Sequence, residues 1–585
     1  MIDKRTASFM RSLAMGQIEE EILLPFPDPK LSEREALAGV LGRIGAILGP
    51  RRTEFSAWDR EGAMPPSFLD ELRRAGLFGL VIPEPFGGVG LSNTGYARAL
   101  EEIARHDTSV AVTVGVHGSI GVRGLLLYGT AEQRARLLPR LAKGELLAAF
   151  CLTESGAGSD AASIRTSAVR DGGDFVLSGE KGWVSNGGIS SLFTVFARTS
   201  QEGRGQLSAF LVPREAPGLT VGPPEEKMGI RASSTTRLEL REVRVPADAV
   251  LGEMGQGFKI AMTVLNAGRT GLGGGSVGAM KRLIDLSLGH ARERKQFGRP
   301  LAAFALVRGK LARMVVDCYA AESAVDLTAG LIDRGFEDLA VEAAIAKVLS
   351  TEALWRIADE AVQVAGGAGY MRSFPFEQAF RDARIHRIFD GSNDILRLFI
   401  ALTAVSDVAE ELRDVAESVR GVFADPIKGF GVLSEYARRR ASLAANVARG
   451  RGRFTQLPPL LAEDAAGFEE LVRAVALSVD RALRRHGKRL VDEQLVLARL
   501  ADALIDLYAC AAMLSRISGT VENHGDQAGR AEREILRAYA GAARRRVEAG
   551  LDGIDGPEDA ALALVAEHAL EQASLPWGSG PPSSP

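Results

Sequence analysis

The chain has 585 residues, 46% of them hydrophobic and 25% charged, which is enough for several domains with buried cores and is typical of a folded, soluble protein. Its 71 basic and 74 acidic residues give a net charge of −3, which argues against a nucleic-acid partner. Three widely spaced cysteines favour a reducing compartment, and no histidine spacing predicts a metal site. No signal-type segment follows Met1 and no long uninterrupted apolar stretch occurs, so we expect a cytoplasmic protein.

Hydrophobic periodicity predicts helices on both sides of a central block of strands. We expect an N-terminal helical domain over 1–147 and an antiparallel β-barrel or sandwich over 148–256. A C-terminal four-helix bundle is expected over 257–410, and an extra C-terminal helical domain over 411–585. Strands and helices do not alternate, which argues against a doubly wound parallel sheet. The predicted fold class is therefore mainly α with a central β domain.

The amino-acid composition of the predicted C-terminal domain changes near 423–431, which predicts a linker there. An arginine-rich stretch over 436–461 could lie on an anionic membrane surface, which would make the protein peripheral on the inner face of the membrane. A solvated basic loop explains the same composition equally well. The tail over 577–585 is rich in Gly, Ser and Pro and is expected to be disordered.

Two motifs in the β block could bind a ligand. Residues Phe150–Asp160 form a glycine-rich loop with several hydroxyl groups after the first predicted strand, and such a loop presents N–H groups to an anion or a polar heterocycle. A simple hairpin loop is the alternative. In Lys181–Gly188, Trp183 and Ser185 are two residues apart, so on a regular strand they face the same side. Trp183 could then stack on a flat cofactor while Ser185 donates a hydrogen bond, although core packing is the commoner role of a strand tryptophan.

Three motifs in the following helical block could also carry chemistry. Arg294, at a predicted helix end, could bind a phosphate, or it could be an ordinary exposed arginine. Residues Gln363–Gly369 run from a helix into a glycine loop, which allows close approach of a ligand or simply ends the helix. Asp390 stands between an aromatic residue and a glycine, where burial would raise its pKa toward that of a useful general base. An Asx turn is the structural alternative.

One further motif, Gly273–Gly278, spells the glycine pattern of dinucleotide-binding proteins. It lies inside a helical block and follows no strand, so it lacks the context that this function requires. We interpret these glycines as sites of close helix packing.

Taken together and in this order, these motifs resemble those of the flavin-dependent acyl-CoA dehydrogenases from about Ser8 to Leu575. The shared pieces also include four short motifs: Gly87–Thr94, Lys227–Ser233, Val491–Gln494 and Arg499–Asp502. The last two resemble the very-long-chain branch of the family, which has a C-terminal helical extension. The resemblance implies an FAD-dependent homodimer that oxidises long-chain acyl-CoA to trans-2-enoyl-CoA and passes electrons to an electron-transferring flavoprotein.

The resemblance also implies roles for individual residues. The FAD-binding set would be Phe150, Leu152, Thr153, Gly158, Ser159, Trp183, Val184, Ser185, Arg294, Phe297, Gln363, Gly367, Ser392, Asn393 and Asp394. The substrate-binding set would be Ser159, Arg269, Phe389, Gly391, Ala111 and Gly115.

Asp390 occupies the position of the family's catalytic base, which removes the α-proton while a hydride leaves the β-carbon for the flavin. Its backbone N–H and a ribityl hydroxyl of FAD would polarise the thioester carbonyl. Ala111 and Gly115 lie where the family forms the floor of the acyl pocket, and small side chains there would leave a deep slot for long chains. Small residues that allow helix packing are the alternative.

The sequence departs from the family pattern at the base itself. The very-long-chain branch has glutamate where this chain has Asp390, which is shorter by about 1.5 Å of reach. A misplacement of ~1 Å can slow a reaction about 100-fold. Gly268, which precedes Arg269, cannot supply the alternative base that other branches use, and Ser155 replaces a usual proline. Two other functions therefore stay open: an assembly or scaffold partner with weak catalysis, and a dehydrogenase or oxidase for unusual acyl groups.

Overall fold

The structure, a computed structural model, describes residues 8–29, 31–199, 206–406 and 452–572. The predicted linker at 423–431, most of the basic stretch at 436–461 and the predicted disordered tail at 577–585 lie outside these ranges. The chain divides into two compact units. The first contains Glu21–Leu396 and Ala511–Leu536, and the second contains Phe9–Glu20 with the described residues of 397–510 and 537–585.

The N-terminal part of the chain is helical, as predicted. Its helices are α1 (Phe9–Ala14), α2 (Glu20–Leu23), α3 (Leu31–Leu48), α4 (Arg52–Glu61), α5 (Pro66–Arg74), α6 (Asn93–His106), α7 (Thr108–Val116), α8 (Arg123–Tyr128) and α9 (Ala131–Ala142). Side chains cap several of them: Ser92 accepts a hydrogen bond at the start of α6 and Asp107 at the start of α7. Thr130 and Gln133 form a reciprocal capping box at α9. These caps fix where the helices begin and therefore how their apolar faces meet.

Among the described residues, one stretch, Thr108–Tyr128, is long and apolar enough to cross a membrane by composition. The protein buries 67% of that stretch. Such burial is typical of the core helix of a folded domain, and α7 contributes Val110 and Val114 to the apolar core of the first unit.

The central domain is a β domain with an eight-stranded sheet in the order β6-β7-β3-β2-β4-β5-β8, and β1 pairs with β4. The strands are β1 (Ala148–Cys151), β2 (Ser167–Asp171), β3 (Asp174–Ser185), β4 (Leu192–Arg198), β5 (Leu207–Pro213), β6 (Leu219–Pro224), β7 (Thr235–Pro246) and β8 (Val250–Leu251). Most pairs are antiparallel, as predicted, but β1 and β2 each run parallel to β4. The chain completes β2 and β3 before it reaches β4, and this long connection permits the parallel pairing.

The third domain is a helical bundle with a short hairpin. Its elements are α10 (Gly257–Glu293), β9 (Lys295–Gln296), β10 (Arg299–Pro300), α11 (Ala305–Asp333), α12 (Ala340–Ala365), α13 (Gly367–Tyr370), α14 (Phe376–Arg384) and a helix over 393–406, α15. A Cβ atom on Gly274 would lie 2.3 Å from the carbonyl oxygen of Ala97, and one on Gly278 would lie 1.9 Å from that of Glu101. Only glycine lets α10 approach α6 so closely, which confirms the interpretation of this motif as helix packing.

The C-terminal extension is helical, as predicted. Its helices are α16 (Ala462–His486), α17 (Gln494–His524), α18 (Asp526–Asp552) and α19 (Glu558–Gln572). The segment of α17 that belongs to the first unit places Arg516 3.4 Å from Glu322 and over the ring of Tyr319, 4.5 Å from its centroid. In the second unit the ring of Phe9 lies 6.5 Å from that of Tyr508.

Candidate active site

A buried ion pair organises the glycine-rich loop that follows β1. Lys181 Nζ donates to Glu154 Oε1 at 2.8 Å and to the carbonyl of Leu152 at 3.1 Å. Glu154 also accepts from the backbone N–H groups of Arg165 and Thr166. Burial opposes the charge of Glu154, but the hydrogen bond and charge of Lys181 keep its pKa below the ordinary value. Lys181 therefore fixes the start of the loop to β3, and Glu154 joins it to the backbone at residues 165 and 166.

The loop itself presents polar groups outward. Ser155, Gly156, Gly158 and Ser159 are exposed, and a Cβ atom placed on either glycine would have no neighbour within 4 Å. The backbone N–H groups are therefore open to close approach by a ligand. Thr153 is partly buried, and its carbonyl accepts from the N–H of Gly182 at 2.9 Å.

Phe150 and Leu152 lie behind this loop. The Phe150 ring is 4.8 Å from that of Phe196, and Leu152 is buried in the core. Their side chains pack beneath the loop. Only their backbone atoms or the exposed edge of Phe150 could therefore contact a cofactor.

Trp183 lies at a β-bulge, not on a regular strand. The register of β3 against β7 shifts between Lys181 and Val184, and Trp183 has a φ of +52°. The sequence predicts regular alternation here, and the extra residue of the bulge breaks it. Trp183 is 54% exposed, Val184 is buried and Ser185 is partly buried. The exposed indole is available as a stacking surface for a flat ring.

Asn186, which the sequence interpretation missed, ties this strand end to the N-terminal domain. Its φ is +62°, and its buried side-chain amide donates to the carbonyl of Thr113 at 2.8 Å. An asparagine directly after a strand and before two glycines was the available signal.

Asp390 lies in the turn between α14 and α15. It has a φ of +55° and is followed by Gly391 with a φ of +92°. Within the described residues, its backbone N–H donates to no protein acceptor, so it can serve a thioester carbonyl. Burial raises the pKa of the Asp390 carboxyl, while Lys347 and Arg269 act in the opposite direction. The predicted direction of this pKa shift is confirmed, and an acid with a raised pKa makes a stronger base once ionised.

Arg269 and Gly391 are more than a hundred residues apart in sequence but meet at this turn. Arg269 lies on α10, is 6% exposed and donates to Asn266 Oδ1 at 2.6 Å. Its Nη2 atom is 3.6 Å from the position that a Cβ on Gly391 would occupy. Burial lowers the pKa of Arg269 to about 10, with Asp390 opposing the shift, so the guanidinium is protonated at neutral pH. The ring of the adjacent Phe389 contacts that of His386 in a tilted arrangement, with ring centroids 5.2 Å apart.

The two residues assigned to the acyl pocket are both buried, but Gly115 faces another helix. A Cβ on Gly115 would lie 3.6 Å from Leu100 Cδ1, and its carbonyl accepts from Tyr96 Oη at 3.1 Å. A Cβ at this position would make ordinary van der Waals contact with α6, so Gly115 borders α6, and its place in the acyl pocket stays a prediction. Ala111 is 7% exposed and belongs to the same core.

Four residues assigned to the phosphate and adenosine end of FAD are exposed. Arg294 follows the last residue of α10, and Phe297 stands in the turn of the β9–β10 hairpin with 92% of its surface exposed. Phe297 and Gly298 have φ values of +53° and +78°, as a type I′ turn requires. Gln363 and Gly367 flank the end of α12.

Ser392, Asn393 and Asp394 were predicted to bind FAD, but the side chain of Asn393 is buried and bonded to other residues. Asn393 is 2% exposed, accepts from Lys347 Nζ at 2.7 Å and donates to Glu352 at 2.9 Å. Its side chain therefore bonds within the protein and does not reach outward. Ser392 accepts weakly from the N–H of Ile395 at 3.4 Å, and Asp394 is exposed. A lysine inside an apolar run, Lys347, was the signal in the sequence that such a partner existed.

The exposed groups at this site fit FAD. The open loop glycines and hydroxyls suit the polar edge of a flavin, the exposed indole of Trp183 suits its flat face, and Arg294 suits a pyrophosphate.

The fold and this site define a class of protein, and comparison with known families identifies it. Models of the acyl-CoA dehydrogenase N-terminal, middle and C-terminal domains match residues 52–145, 149–243 and 255–404. The chain therefore belongs to the acyl-CoA dehydrogenase family. A further model, the ACAD9/ACADV C-terminal domain, matches residues 459–575.

Similar proteins place the chain within that family. The mitochondrial very long-chain specific acyl-CoA dehydrogenase of Homo sapiens is 42% identical over 556 residues, which cover 93% of this chain and 84% of the human protein. A probable acyl-CoA dehydrogenase of Bacillus subtilis is 34% identical over 497 residues, which cover 80% and 77% of the two chains.

Solved structures agree with the sequence relatives. The acyl-CoA dehydrogenase of Bacillus anthracis, complexed with FAD, superimposes with a TM-score of 0.79 and 29% identity and covers 94% of this chain and 92% of that one. Butyryl-CoA dehydrogenase from Megasphaera elsdenii gives a TM-score of 0.61 at 33% identity and covers 64% and 98%. The predicted family, fold class, enzyme class and FAD cofactor are confirmed: this is an FAD-dependent acyl-CoA dehydrogenase.

Proposed function

We propose that this enzyme oxidises long-chain acyl-CoA to trans-2-enoyl-CoA with Asp390 as the base, and that it works as a homodimer that passes electrons to an electron-transferring flavoprotein. The observation that carries the proposal is the Asp390 turn. It joins a partly buried carboxyl of raised pKa, a free N–H and the guanidinium of Arg269.

The groups of this turn divide the reaction between them. The Asp390 carboxylate takes the α-proton, and the electron pair of that C–H bond forms the new double bond as the β-carbon loses a hydride. The Asp390 N–H holds the thioester oxygen, where negative charge develops. The positive charges of Lys347 and Arg269 lower the pKa of the Asp390 carboxyl and so oppose the effect of burial. FAD, when bound, supplies the acceptor for the two electrons.

The cofactor would be held at two places. The loop from Thr153 to Ser159 and the segment Trp183–Ser185 would hold the flavin ring, since Ser155, Ser159 and Trp183 are exposed and Lys181 of β3 holds the loop. Arg294, Phe297, Gln363 and Gly367 would hold the pyrophosphate and adenosine end.

Long-chain substrates are supported by relatives that are named for very-long-chain acyl-CoA. Ala111 is a small residue on α7, but Gly115 faces α6, so the chain-length argument rests on Ala111 and on the relatives. A structure of an electron-transferring flavoprotein system from Acidaminococcus fermentans contains a chain that resembles this one, with a TM-score of 0.62. That likeness supports the proposed electron acceptor.

A homodimer is supported by exposed apolar side chains in the first unit. Phe297, Leu306 and Tyr370 are 92%, 84% and 77% exposed. A partner that covers these side chains would remove their apolar surface from water.

A chain-length series tests the proposal. Purified holoenzyme is mixed anaerobically with saturated acyl-CoA from four to twenty carbons, and loss of the oxidised-flavin absorbance is followed. We expect the fastest bleaching with long chains, and re-oxidation by electron-transferring flavoprotein but only slowly by oxygen. Bleaching restricted to branched or aryl thioesters would support the unusual-substrate alternative, and no bleaching with any thioester would support a scaffold role.

A further inference from the structure

Lys347 is a charged residue that the proposed reaction does not use. It lies on α12 within an apolar run and is 0% exposed. Burying an ammonium group costs free energy unless the protein supplies compensating hydrogen bonds. The hydrogen-bond acceptors of the Lys347 ammonium group therefore indicate why a lysine is buried here.

The ammonium group of Lys347 bonds to the catalytic turn at two points. It donates to the carbonyl of Gly391 at 2.8 Å and to Asn393 Oδ1 at 2.7 Å. Asn393 in turn donates to Thr351 and Glu352, one helical turn further along α12. The residues directly after Asp390 are thus fixed to a rigid helix.

This attachment matters because the turn has an unfavourable backbone conformation. Asp390 has a φ of +55°, a region that non-glycine residues seldom adopt, and Gly391 has a φ of +92°. Such a conformation persists only where the surroundings hold it. The two hydrogen bonds from Lys347 begin one residue after Asp390 and supply that restraint.

The charge of Lys347 also acts on the base. Two cationic groups face Asp390, Lys347 from α12 and Arg269 from α10, and both favour the carboxylate. His386, the nearby ring, is neutral because burial and then Lys347 lower its pKa to about 3. Removing Lys347 would therefore change both the shape and the charge of the site.

We propose that Lys347 is a positioning residue for the dehydrogenation: it holds the turn over residues 390–393 in the conformation that aims Asp390 at the substrate α-carbon. This inference rests on the proposed role of Asp390 as the base. It assigns no contact between Lys347 and substrate or FAD.

The test compares Lys347→Met and Lys347→Arg with Lys310→Met as a control. Lys310, on α11, pairs with Glu360 of α12, thirteen residues beyond Lys347 along that helix. Each holoenzyme is reduced anaerobically by palmitoyl-CoA in single turnover, and the rate per bound FAD is measured from pH 5 to 9. The substrate concentration for half-maximal rate and the thermal midpoint are recorded for each variant.

We expect Lys347→Met to slow reduction about 100-fold at nearly unchanged half-saturation, because the base is misplaced by ~1 Å. The rise of its rate with pH should move to higher pH, because Asp390 loses a neighbouring positive charge. Lys347→Arg keeps the charge, so its pH profile should stay in place while its rate falls roughly tenfold. Lys310→Met should match the wild type. A merely structural lysine would lower the thermal midpoint but leave the rate per FAD and its pH profile unchanged, and that result would overturn the proposal.

If Lys347→Met does not accumulate as a folded flavoprotein, the reduction rate of Lys347→Arg tests the proposal instead. A wild-type rate for Lys347→Arg would then overturn it. Asp390→Asn separates this inference from the function on which it rests. A wild-type rate for Asp390→Asn would refute the base itself. An inert Asp390→Asn together with a fully active Lys347→Met would refute only the role of Lys347.

Discussion

Lys181 Nζ lies 2.8 Å from Glu154 Oε1, and this buried pair joins the two segments that carry the candidate flavin contacts. The side chains are 0% and 7% exposed. Loss of one partner of such a pair leaves an unpaired buried charge, which costs more than the pair contributes when intact.

Lys181→Met should therefore destabilise the protein by about 3–5 kcal/mol in free energy of unfolding and weaken FAD retention. Arg237→Met removes one partner of a more exposed pair with Glu225 in the same sheet and should leave the unfolding midpoint nearly unchanged. Urea unfolding of both variants, with flavin and tryptophan signals, measures the difference. Equal midpoints would show that the pair does not fix the loop.

Arg294→Ala should release FAD on gel filtration, because a guanidinium that pairs with the pyrophosphate would be lost. Arg292→Ala, an exposed arginine in the last turn of the same helix, is the matched control and should retain FAD. The ratio of flavin to protein absorbance checks both. Full retention by Arg294→Ala would refute the assigned phosphate contact.

Asp390→Glu restores the methylene that the very-long-chain branch has and should speed flavin reduction by straight-chain substrate up to about 100-fold. Stopped-flow reduction by palmitoyl-CoA at saturating concentration measures the effect. An unchanged or lower rate would show that the turn is already shaped for aspartate, and branched thioesters should then be tried.

The contribution of Asp382 to the stability of the fold should fall as pH rises toward neutrality. Asp382 is 3% exposed and accepts from the N–H of Ile230, and burial together with the charge of Asp107 raises its pKa to about 7. A raised pKa in the fold means that the native state binds the proton more tightly than the unfolded state does. The protonated Asp382 therefore stabilises the fold fully at pH values below the ordinary carboxyl pKa. This stabilisation decreases by up to ~1.4 kcal/mol for each pH unit and is lost as pH rises through about 7.

Asp382→Asn keeps the acceptor but cannot titrate, so it should make the unfolding free energy fall less steeply between pH 4 and 7 than in the wild type. Asp248→Asn, whose side chain is 67% exposed, is the control and should keep the wild-type slope. Denaturant unfolding at several pH values measures both. An unchanged slope in Asp382→Asn would assign the proton uptake to another group.

Much of the architecture could be predicted from local patterns. The hydrophobic periodicity switches from helical to strand spacing and back, and these switches marked the first three domains. Burial of one face gives a helix or a strand its characteristic spacing of apolar residues. The glycines at 273–278 were correctly assigned to helix packing because no strand preceded them. The raised pKa of Asp390 followed from its apolar neighbours alone.

Other features depended on contacts between distant parts of the chain, which no local pattern contains. The bulge at Trp183 arises from the pairing of β3 with β7, and the orientation of Gly115 arises from α6. The side chain of Asn393 turned inward because Lys347, 46 residues earlier, lies beneath it. Such partners are set by tertiary structure, so the sequence could indicate a buried lysine but not its target.

One measurement tests the central claim most directly: single-turnover anaerobic reduction of the holoenzyme by palmitoyl-CoA, for the wild type and Asp390→Asn in parallel. We predict that the wild type loses its oxidised-flavin absorbance and releases the trans-2-enoyl thioester, while Asp390→Asn keeps FAD but reacts at least about 100-fold more slowly. A wild-type protein that binds flavin but is not reduced, or an Asp390→Asn variant reduced at the wild-type rate, would contradict the account.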